Sequence, residues 1–259
     1  MRAEILTILK QNNTEFLSWQ ELSQRFGVTR AAVWKCIRQL EDEGYVIESR
    51  SKNGYRLLSC PDILTEDELA PYLQTKCLGR KVKYFRSIDS TNIRARELAE
   101  KGEPAGTTVI SEEQTGGKGH IGRKWYSNPY QGILMSVILR PGTAMAALPQ
   151  ITEKVCTAAA EAIRTFTGNT EFRAPDHILI NGRKAGGVLV EAAGETDRTD
   201  YIIAGIGINV NQELSDFPEE VRNQSTSLRI EKNIKISRQQ LAADILNKME
   251  FIFGDGSQV

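Results

Sequence analysis

The sequence predicts an α+β protein with a small helical unit at its N-terminus and a larger unit around a mixed sheet. Three observations predict this fold class. Helical periodicity dominates residues 1–44, an Asn-Gly turn separates two short β-type runs within 45–59, and from residue 80 onward β-type runs follow one another with helices between only some of them. The order of strands and helices from residue 80 onward favours a mixed sheet over the regular alternation of strands and helices in an α/β protein.

The N-terminal unit contains signals for three helices and a hairpin. Ser18 followed by Glu21 has the spacing of a capping box, which marks the start of the second helix. Val33, Ile37 and Leu40 of the third helix are spaced for one buried face. The predicted elements are helices 4–11, 18–27 and 30–44 and strands 45–50 and 54–59.

This order of elements, with a tight turn between the second and third helices, is typical of a winged helix-turn-helix. Residues 1–60 contain nine Lys/Arg and seven Asp/Glu, a net of 9 − 7 = +2, against 24 − 26 = −2 for the remainder. The third helix of such a unit enters the DNA major groove, and Lys/Arg beside it contact phosphates. A protein-binding winged helix with a solvated basic face is the alternative. The candidate DNA-binding residues are Arg30, Trp34, Lys35, Arg38 and Lys52.

The rest of the chain is expected to form the larger unit. A linker is predicted at 61–79, with a short helix that Thr65 caps, and the second unit is predicted at 80–253, before a tail at 254–259. An Asn-Gly pair at 181–182 marks a hairpin turn. The predicted elements are strand 82–88, helix 90–102, strand 106–114, strand 132–140, helix 151–168, hairpin 177–193, strand 200–211 and helix 237–253.

The composition limits the kinds of function. Lys+Arg and Asp+Glu balance at 33 each, so any contact with nucleic acid must come from a local basic patch. The four cysteines form no CxxC pair and no Cys/His cluster with zinc-ligand spacing, which predicts reduced thiols and no metal site built by the protein. No apolar run approaches the roughly 18 residues that span a bilayer, and no signal-peptide pattern occurs, so a cytoplasmic protein is expected.

The stretch GGKGHIGRKW, residues 116–125, follows a predicted strand and combines glycines, cations and one large aromatic ring. It lacks the pattern of a P-loop. Gly117, Gly119 and Gly122 have the spacing of a dinucleotide fingerprint, but no helix opens from them. Flexible backbone amides and cations suit a phosphate, and Trp125 can cover a flat apolar group. A lid over an anionic ligand is predicted, with a mobile surface hairpin as the alternative.

Several blocks occur in a fixed order along the chain. They are DSTN (89–92), EEQTGGKGHIGRKW (112–125), GRKAGGVLVE (182–191), GIGINVN (205–211) and TSL (226–228). Together they resemble the biotin–protein ligase family. With the winged helix, the chain resembles the bifunctional members, which are both biotin ligases and biotin-operon repressors. The resemblance covers roughly residues 1–250 and implies a class II synthetase-like biotin/lipoate ligase fold for the second unit.

The resemblance implies roles for individual residues. Lys184 would contact the carboxylate of the ligand and the α-phosphate, and it would act with Arg123 in catalysis. The residues implied for biotin, with its ureido group at 90–92, are Ser90, Thr91, Asn92, Gln114, Trp125, Lys184, Gly187 and Leu189. The residues implied for the adenylate are Gly117, Lys118, Gly119, His120, Gly122, Arg123, Asp176, Gly207 and Asn209.

The resemblance also implies a reaction and its partners. Biotin and ATP, with Mg²⁺, would give biotinyl-5′-adenylate, and a lysine of a biotin carboxyl carrier domain would accept the biotinyl group. Homodimers that form with the adenylate would bind operator DNA. The chemistry agrees, because a carboxylate that attacks an α-phosphate needs cations and no protein nucleophile. We therefore expect Arg123 and Lys184 to face one cavity; the alternative for Lys184 is a surface lysine beside a turn.

Three departures from the family pattern predict weaker ligation. His120 stands where the family has an arginine that retains the adenylate, and the family's Lys-Trp-Pro-Asn-Asp block appears as RAPDH, residues 173–177. We expect no counterpart of the family's small C-terminal domain after helix 237–253. A second hypothesis follows, in which the protein is a regulator that senses biotin or its adenylate without ligating it. A lipoate-attaching relative is a third, against which the winged helix and the glycine loop argue.

Overall fold

The structure, a computed structural model, describes residues 1–51, 53–119 and 122–253. Two predicted site residues, Lys52 and His120, and the predicted tail lie outside the described residues. The chain separates into two compact units, Met1–Asp62 and Ile63–Val259. Among the helices described, none has both the length and the apolar character needed to cross a lipid bilayer.

The first unit forms the three helices and the hairpin that its sequence predicts. The Ser18 hydroxyl accepts from the N–H of Glu21 (3.1 Å), and the Glu21 carboxylate accepts from the N–H of Ser18 (2.8 Å), which confirms the capping box. Gly27 ends the second helix in the left-handed conformation, at φ 63°. The elements are α1 (Arg2–Gln11), α2 (Trp19–Phe26), α3 (Arg30–Asp42), β1 (Val46–Arg50) and β2 (Gly54–Ser59).

The core of the first unit lies between the three helices and the hairpin. Val33, Ile37 and Leu40 of α3 are buried in it, as their spacing predicts, and Tyr45 and Leu57 close it on the hairpin side. Because one face of α3 is buried in this core, the opposite face is left to solvent.

The second unit contains the predicted strands and helices together with some that sequence analysis missed. The missed elements are short: strand β6 and helices α7 and α8. The full set is α4 (Glu66–Leu69), β3 (Val82–Phe85), α5 (Thr91–Glu100), β4 (Thr108–Ser111), β5 (Gly132–Leu139), α6 (Leu148–Thr167), β6 (Thr170–Arg173), β7 (His177–Ile180), β8 (Arg183–Gly194), β9 (Thr199–Asn209), α7 (Glu219–Arg222), α8 (Leu228–Lys232) and α9 (Arg238–Phe253).

Within the described residues, seven strands of this unit form one mixed sheet in the order β3-β4-β5-β9-β8-β7-β6. The β3–β4 pair is parallel, and the pairs from β4 to β6 along the sheet are antiparallel. The mixed sheet confirms the predicted α+β class. The Asn-Gly hairpin is also confirmed, since β7 and β8 pair on either side of residues 181–182.

Helices cover both faces of the sheet, and the alternation of side chains decides which residues each face receives. On β9, Ile202, Ala204 and Ile206 belong to the large core that α6 and α9 cover. Ile203, between them in sequence, belongs to a smaller cluster on the α5 face, together with Ala95 of α5 itself. On β5 and β9, Ser136, Gly205 and Gly207 interrupt the apolar rows of the α5 face, which is the face on which the smaller cavity lies.

The linker predicted at 61–79 is different in the structure, which assigns residues from 63 onward to the second unit. Leu64, Leu69 and Leu78 are fully buried in the large core. The Glu250 carboxylate of α9 also accepts from backbone N–H groups, including that of Leu78 (2.8 Å). The prediction treated this segment as a linker, whereas its leucines pack it against the large core that includes α9.

The strand predicted at 106–114 ends at Ser111, because the next residue, Glu112, turns into the core. The carboxylate of Glu112 and the guanidinium of Arg238 are both fully buried and 2.6 Å apart. Arg238 also donates to the carbonyl of Gly132 (2.9 Å), and Glu112 accepts from the N–H of Leu64 (3.2 Å). This pair therefore joins the end of β4 to the start of β5 and the first turn of α9.

We expect Arg238→Met to destabilise the protein by about 3–5 kcal/mol, because it leaves the Glu112 carboxylate buried without its cation. Urea denaturation followed by circular dichroism measures the change. Lys248→Met is the matched control, since Lys248 and Glu161 are 3.7 Å apart at the surface, and a loss of at most about 1 kcal/mol is expected. Adding Glu112→Gln to Arg238→Met should recover part of the loss. Equal losses for Arg238→Met and Lys248→Met would contradict this account.

Candidate functional site

Two adjoining cavities lie in the second unit, and they share part of their lining. The smaller has a volume of about 50 Å³ and the larger about 840 Å³. Residues 90–92 and Gln114 line the smaller one, and residues 173–177 line the larger. The residues that line both are Gly119, Trp125, Asp176 and Lys184.

The base of the smaller cavity consists of two rows of residues that cross three strands. Each row takes one residue from β5, β9 and β8 in turn, and both lie on the α5 face. The rows are Leu134–Gly207–Gly187 and Ser136–Gly205–Leu189. A Cβ atom at Gly205 would lie 2.0 Å from Asn92 Oδ1, and one at Gly207 would lie 2.7 Å from the Trp125 ring. The two glycines of β9 therefore make room for side chains that pack onto the sheet.

Asn92, in the first turn of α5, is held on the sheet by hydrogen bonds. Its Nδ2 donates to the Glu191 carboxylate (2.7 Å) and to the carbonyl of Leu189 (3.2 Å), and its Oδ1 accepts from Ser136 Oγ (2.6 Å). Both amide protons are thus used within the protein. This bonding supports a positioning role for Asn92, while its predicted hydrogen bond to a ligand stays a prediction.

Thr91 and Gln114 link the start of α5 to the start of the glycine loop. Gln114 Oε1 accepts from the N–H of Thr91 (2.7 Å) and lies 3.0 Å from Thr91 Oγ1. The N–H of Gln114 donates to Ser127 Oγ (3.1 Å), on the far side of the loop. These bonds direct the Nε2 end of the Gln114 amide away from Thr91, and both residues line the smaller cavity.

The glycine loop folds back on itself as a narrow hairpin in its described part. The N–H of Gly119 donates to the carbonyl of Arg123 (2.6 Å), and the N–H of Trp125 donates to the carbonyl of Gly117 (3.0 Å). Gly122 has φ 71°, which favours glycine. Arg123 is exposed at the end of this hairpin and lines the larger cavity.

Trp125 lies where the two cavities meet. Its ring packs on the bare backbone of Gly207 and reaches Gly187, whose Cβ position would be 3.5 Å from Trp125 Cζ3. The ammonium group of Lys184 is 5.8 Å from the centroid of the ring. The ring is half-buried, and it forms an apolar wall beside the cationic group.

The lining of the larger cavity is strongly cationic. Five Lys/Arg side chains line it against one carboxylate, that of Asp176, in the described residues, an excess of 5 − 1 = 4 positive charges. Two of these cations have partners outside the lining, since Arg183 is paired with Glu231 (2.7 Å) and Arg173 with Glu171 (3.3 Å). The cationic residues are Arg123, Lys124, Arg173, Arg183 and Lys184. Such a cavity attracts a polyanion.

Lys184 is held in place by its backbone and lies among charges. Its N–H donates to the carbonyl of Gln224 (2.7 Å), and its carbonyl accepts from Thr226 (2.9 Å). Burial lowers the pKa of Lys184; Asp176 opposes this effect and Arg123 adds to it. Arg123 and Lys184 thus face one cavity, as expected, and an anion bound between them would offset their repulsion.

The altered RAPDH stretch forms the turn between β6 and β7. Asp176 is buried, and its Oδ1 lies 2.6 Å from His177 Nδ1. Burial lowers the pKa of His177, and the nearby Lys184 lowers it further, against the effect of Asp176. The neutral imidazole is therefore favoured, so His177 adds little positive charge to the cavity.

The structure brings most of the predicted site residues together, with some differences. Gly207 and Lys118, predicted for the adenylate, line only the smaller cavity, and Asn209 lines the larger one. Neither Gly117 nor Gly122 is part of either lining. Residues that sequence analysis missed include Leu134, Arg183, Gly205 and Phe217, which line the cavities, and Ser136 and Glu191, which bond to Asn92. For Gly205, the alternation with Gly207 along a strand was an available signal.

The first unit has a second candidate surface. Arg30, Trp34, Lys35 and Arg38, all predicted to contact DNA, are exposed on the outward face of α3. A cleft of about 200 Å³ lies between this face and the hairpin. These four residues therefore share one surface; Lys52, the fifth, lies outside the described residues.

Comparisons with known proteins match both units. Residues 2–56 match the HTH domain family, and residues 84–209 match the biotin/lipoate A/B protein ligase family. The chain is 40% identical over 247 residues to the bifunctional ligase/repressor BirA of Bacillus spizizenii, an alignment that covers 95% of this chain and 76% of that protein. It is 30% identical over 240 residues to the protein of the same description from Escherichia coli, covering 92% and 72%.

Solved structures agree with this result. Biotin protein ligase from Aquifex aeolicus in complex with biotin and ATP superposes with a TM-score of 0.58 and 27% identity, covering 67% of this chain and 70% of that chain. A point mutant of the same ligase in complex with biotin gives a TM-score of 0.57 and 28% identity, covering 66% and 69%.

We expect Gly207→Ala to loosen the glycine loop, because the added Cβ would displace the Trp125 ring. The overpacking should cost about 1 kcal/mol, and opening of the loop would relieve it. Because trypsin cleaves the open loop, cleavage after residues 118, 123 or 124 should become about fivefold faster. Limited proteolysis with mass spectrometry measures the rate. Gly116→Ala is the control, since its Cβ would meet only the carbonyl of Asp89 at 3.4 Å. Equal rates in the two variants would show that Trp125 does not hold the loop.

Lys184→Met should leave the unliganded protein as stable as the wild type, or more stable. The folded pKa of Lys184 lies below its ordinary 10.5, so the folded state resists protonation more than the unfolded state does. This penalty applies fully below the folded pKa and disappears as the pH rises through 10.5. Denaturation at about pH 7 and about pH 10 measures this penalty. The free energy of unfolding of the wild type should rise relative to that of the variant at the higher pH. A less stable variant at neutral pH would oppose this expectation.

Proposed function

Because this chain belongs to the biotin/lipoate A/B protein ligase family, in its bifunctional ligase/repressor form, we propose that its two cavities join biotin to ATP and pass the biotinyl group to a protein lysine. The product of the first step is biotinyl-5′-adenylate, with pyrophosphate released. The acceptor is a lysine of a biotin carboxyl carrier domain. The same protein represses transcription through its DNA-binding unit.

The family relationship favours this function over the two other hypotheses. Relatives that match over most of the chain are described as both ligase and repressor, which favours ligation over ligand sensing alone. The superposed Aquifex structures are biotin protein ligases, and one holds both biotin and ATP, which favours biotin over lipoate. The altered RAPDH stretch and His120 remain departures that bear on the rate of the reaction.

The observation that carries the proposal is the shared lining of the two cavities. Lys184 lines both, so one ammonium group can contact a carboxylate in the smaller cavity and a phosphate in the larger one. Biotin would bind at the smaller cavity, which at about 50 Å³ must widen to admit it; there Thr91 and Gln114 offer polar groups and the glycines of β9 offer bare backbone. The triphosphate of ATP would occupy the cationic cavity beside Arg123.

The reaction follows from this placement. The biotin carboxylate, already ionised, attacks the α-phosphorus, and the bond to the β-phosphate breaks to release pyrophosphate. Lys184 and Arg123 would offset the repulsion between the two anions and stabilise charge on the transferring phosphorus. In the second step the amine of the acceptor lysine attacks the acyl carbon, and AMP leaves. Trp125 would shield the mixed anhydride from water.

Asp176 fits the proposed Mg²⁺, which accompanies the triphosphate. Mg²⁺ in nucleotide sites is commonly held by one or two carboxylates together with phosphate oxygens, and Asp176 is the one carboxylate of the described lining. When bound there, Mg²⁺ would neutralise charge on the phosphates. The proposed metal therefore depends on the nucleotide rather than on a cage built by the protein.

For the repressor half, we propose that α3 binds operator DNA and that homodimers formed with the adenylate bind two half-sites. The exposed cations of α3 support the DNA contact. We further propose that the protein acts in the cytoplasm, where ATP, carboxylase and operator DNA occur together.

Purified protein should exchange labelled pyrophosphate into ATP only when biotin and Mg²⁺ are present, because adenylate formation is reversible. It should then label a biotin carboxyl carrier domain, but not a variant of that domain with arginine at the acceptor lysine. Absence of exchange and of labelling, together with tight binding of biotin, would instead support the regulator without ligase activity.

Lys184→Gln and Arg123→Gln should each reduce kcat/KM for the exchange by about 10²–10³, the usual effect of losing one group that stabilises charge in a transition state. Lys83→Gln is the control, because Lys83 is half-buried on β3, lines neither cavity, and has Glu103 as its partner there (3.8 Å); its activity should match wild type. Wild-type rates in both site variants would refute the assigned roles.

A further inference from the structure

The largest apolar side chain on the outward face of α3 is Trp34, which is 53% exposed. The inward face of the same helix is filled by residues such as Val33 and Ile37, so Trp34 cannot turn into the core of the unit. Exposing an indole ring to water is unfavourable. A tryptophan in this position therefore points to a surface that is covered when the protein binds its partner.

The charges around Trp34 indicate what kind of partner covers it. Arg30, Trp34 and Arg38 are spaced four residues apart and form one row along α3. The guanidinium of Arg38 is 5.5 Å from the centroid of the Trp34 ring. In the cleft beside this row lies Arg50 of the hairpin, which pairs with Glu48 (2.8 Å) and whose guanidinium is 4.6 Å from the Phe16 ring.

A single aromatic ring within a row of cations suits duplex DNA better than a protein surface. An apolar protein partner would call for a broader apolar patch, whereas the neighbours of Trp34 on this face, Lys35 and Arg38, are exposed cations. These cations are complementary to the phosphates on both sides of a major groove. Glu41, which pairs with Arg38 (2.9 Å), lines the same cleft next to the C-terminal end of the row.

Within a major groove, the indole Nε1–H can donate to a base acceptor, while the apolar face of the ring matches one group on the base edges. Guanidinium and amide side chains match the donors and acceptors of guanine and adenine, while the 5-methyl group of thymine is the apolar feature that the groove presents. We propose that Trp34 contacts the 5-methyl group of a thymine in each operator half-site and is a specificity-determining residue for DNA. This inference rests on the proposed repressor function.

The experiment uses the full chain in the presence of biotin, ATP and Mg²⁺. Duplexes that bind are first selected from a random-sequence pool. Each thymine of the selected half-site is then replaced by deoxyuridine, which removes only the methyl group. For wild type, replacement of one particular thymine should lower the affinity of the protein for the duplex about threefold to tenfold. For Trp34→Ala, the same replacement should have no effect.

Lys35→Ala is the matched control on the same face of α3. It should weaken binding to every duplex to a similar degree and keep the deoxyuridine effect, because a lysine contacts phosphates rather than base methyl groups. Circular dichroism should confirm that both variants fold, as expected for exposed positions.

The outcomes separate the two hypotheses. If no duplex is enriched, the repressor function fails and this inference fails with it. If duplexes are enriched but no thymine responds to deoxyuridine, or the response persists in Trp34→Ala, only the role of Trp34 is overturned. A response that is present in wild type and Lys35→Ala and absent in Trp34→Ala would support the proposal.

Discussion

Bare backbone at alternate positions of β9 is the constraint on which the second unit depends. A side chain at Gly205 would collide with Asn92, and one at Gly207 with Trp125, so these two residues can pack directly on the sheet. Asn92 brings the start of α5 to the smaller cavity, and Trp125 brings the glycine loop to the border of both cavities. The loop is therefore part of the wall of the site, and its position depends on the missing Cβ atom of Gly207, in a strand far away in sequence.

The electrostatics of the site follow from the same packing. Trp125 and the segment at 224–226 leave Lys184 partly buried, and Arg123 adds a second positive charge. The unliganded site therefore stores unfavourable charge, which an anion relieves when it binds. Such a site binds polyanions more tightly but lowers the stability of the unliganded protein, as binding sites in proteins often do. Asp176 limits the imbalance and offers a carboxylate to a metal-bound phosphate.

Much of the fold could be predicted because the signals were local. The capping box at Ser18, the stop at Gly27 and the buried spacing of α3 all depend on residues within a few positions of one another. The linker prediction failed because burial of residues such as Leu64 depends on α9, which lies far along the chain. The early end of β4 has a similar origin, since Glu112 leaves the strand to meet Arg238. Short elements such as β6 carry too little periodicity to be recognised alone.

By itself, the sequence determined the fold class, the helical N-terminal unit, the outward face of α3 and many of the residues that line the two cavities. Those features come from short-range periodicity and from motifs that keep their order along the chain. Only the tertiary structure decided that Lys184 borders both cavities, that both amide protons of Asn92 are used by the protein, and that Glu191 and Ser136 hold it. These relations depend on strand register and on the pairing of β8 with β9 and of β9 with β5, which bring together residues far apart in the sequence.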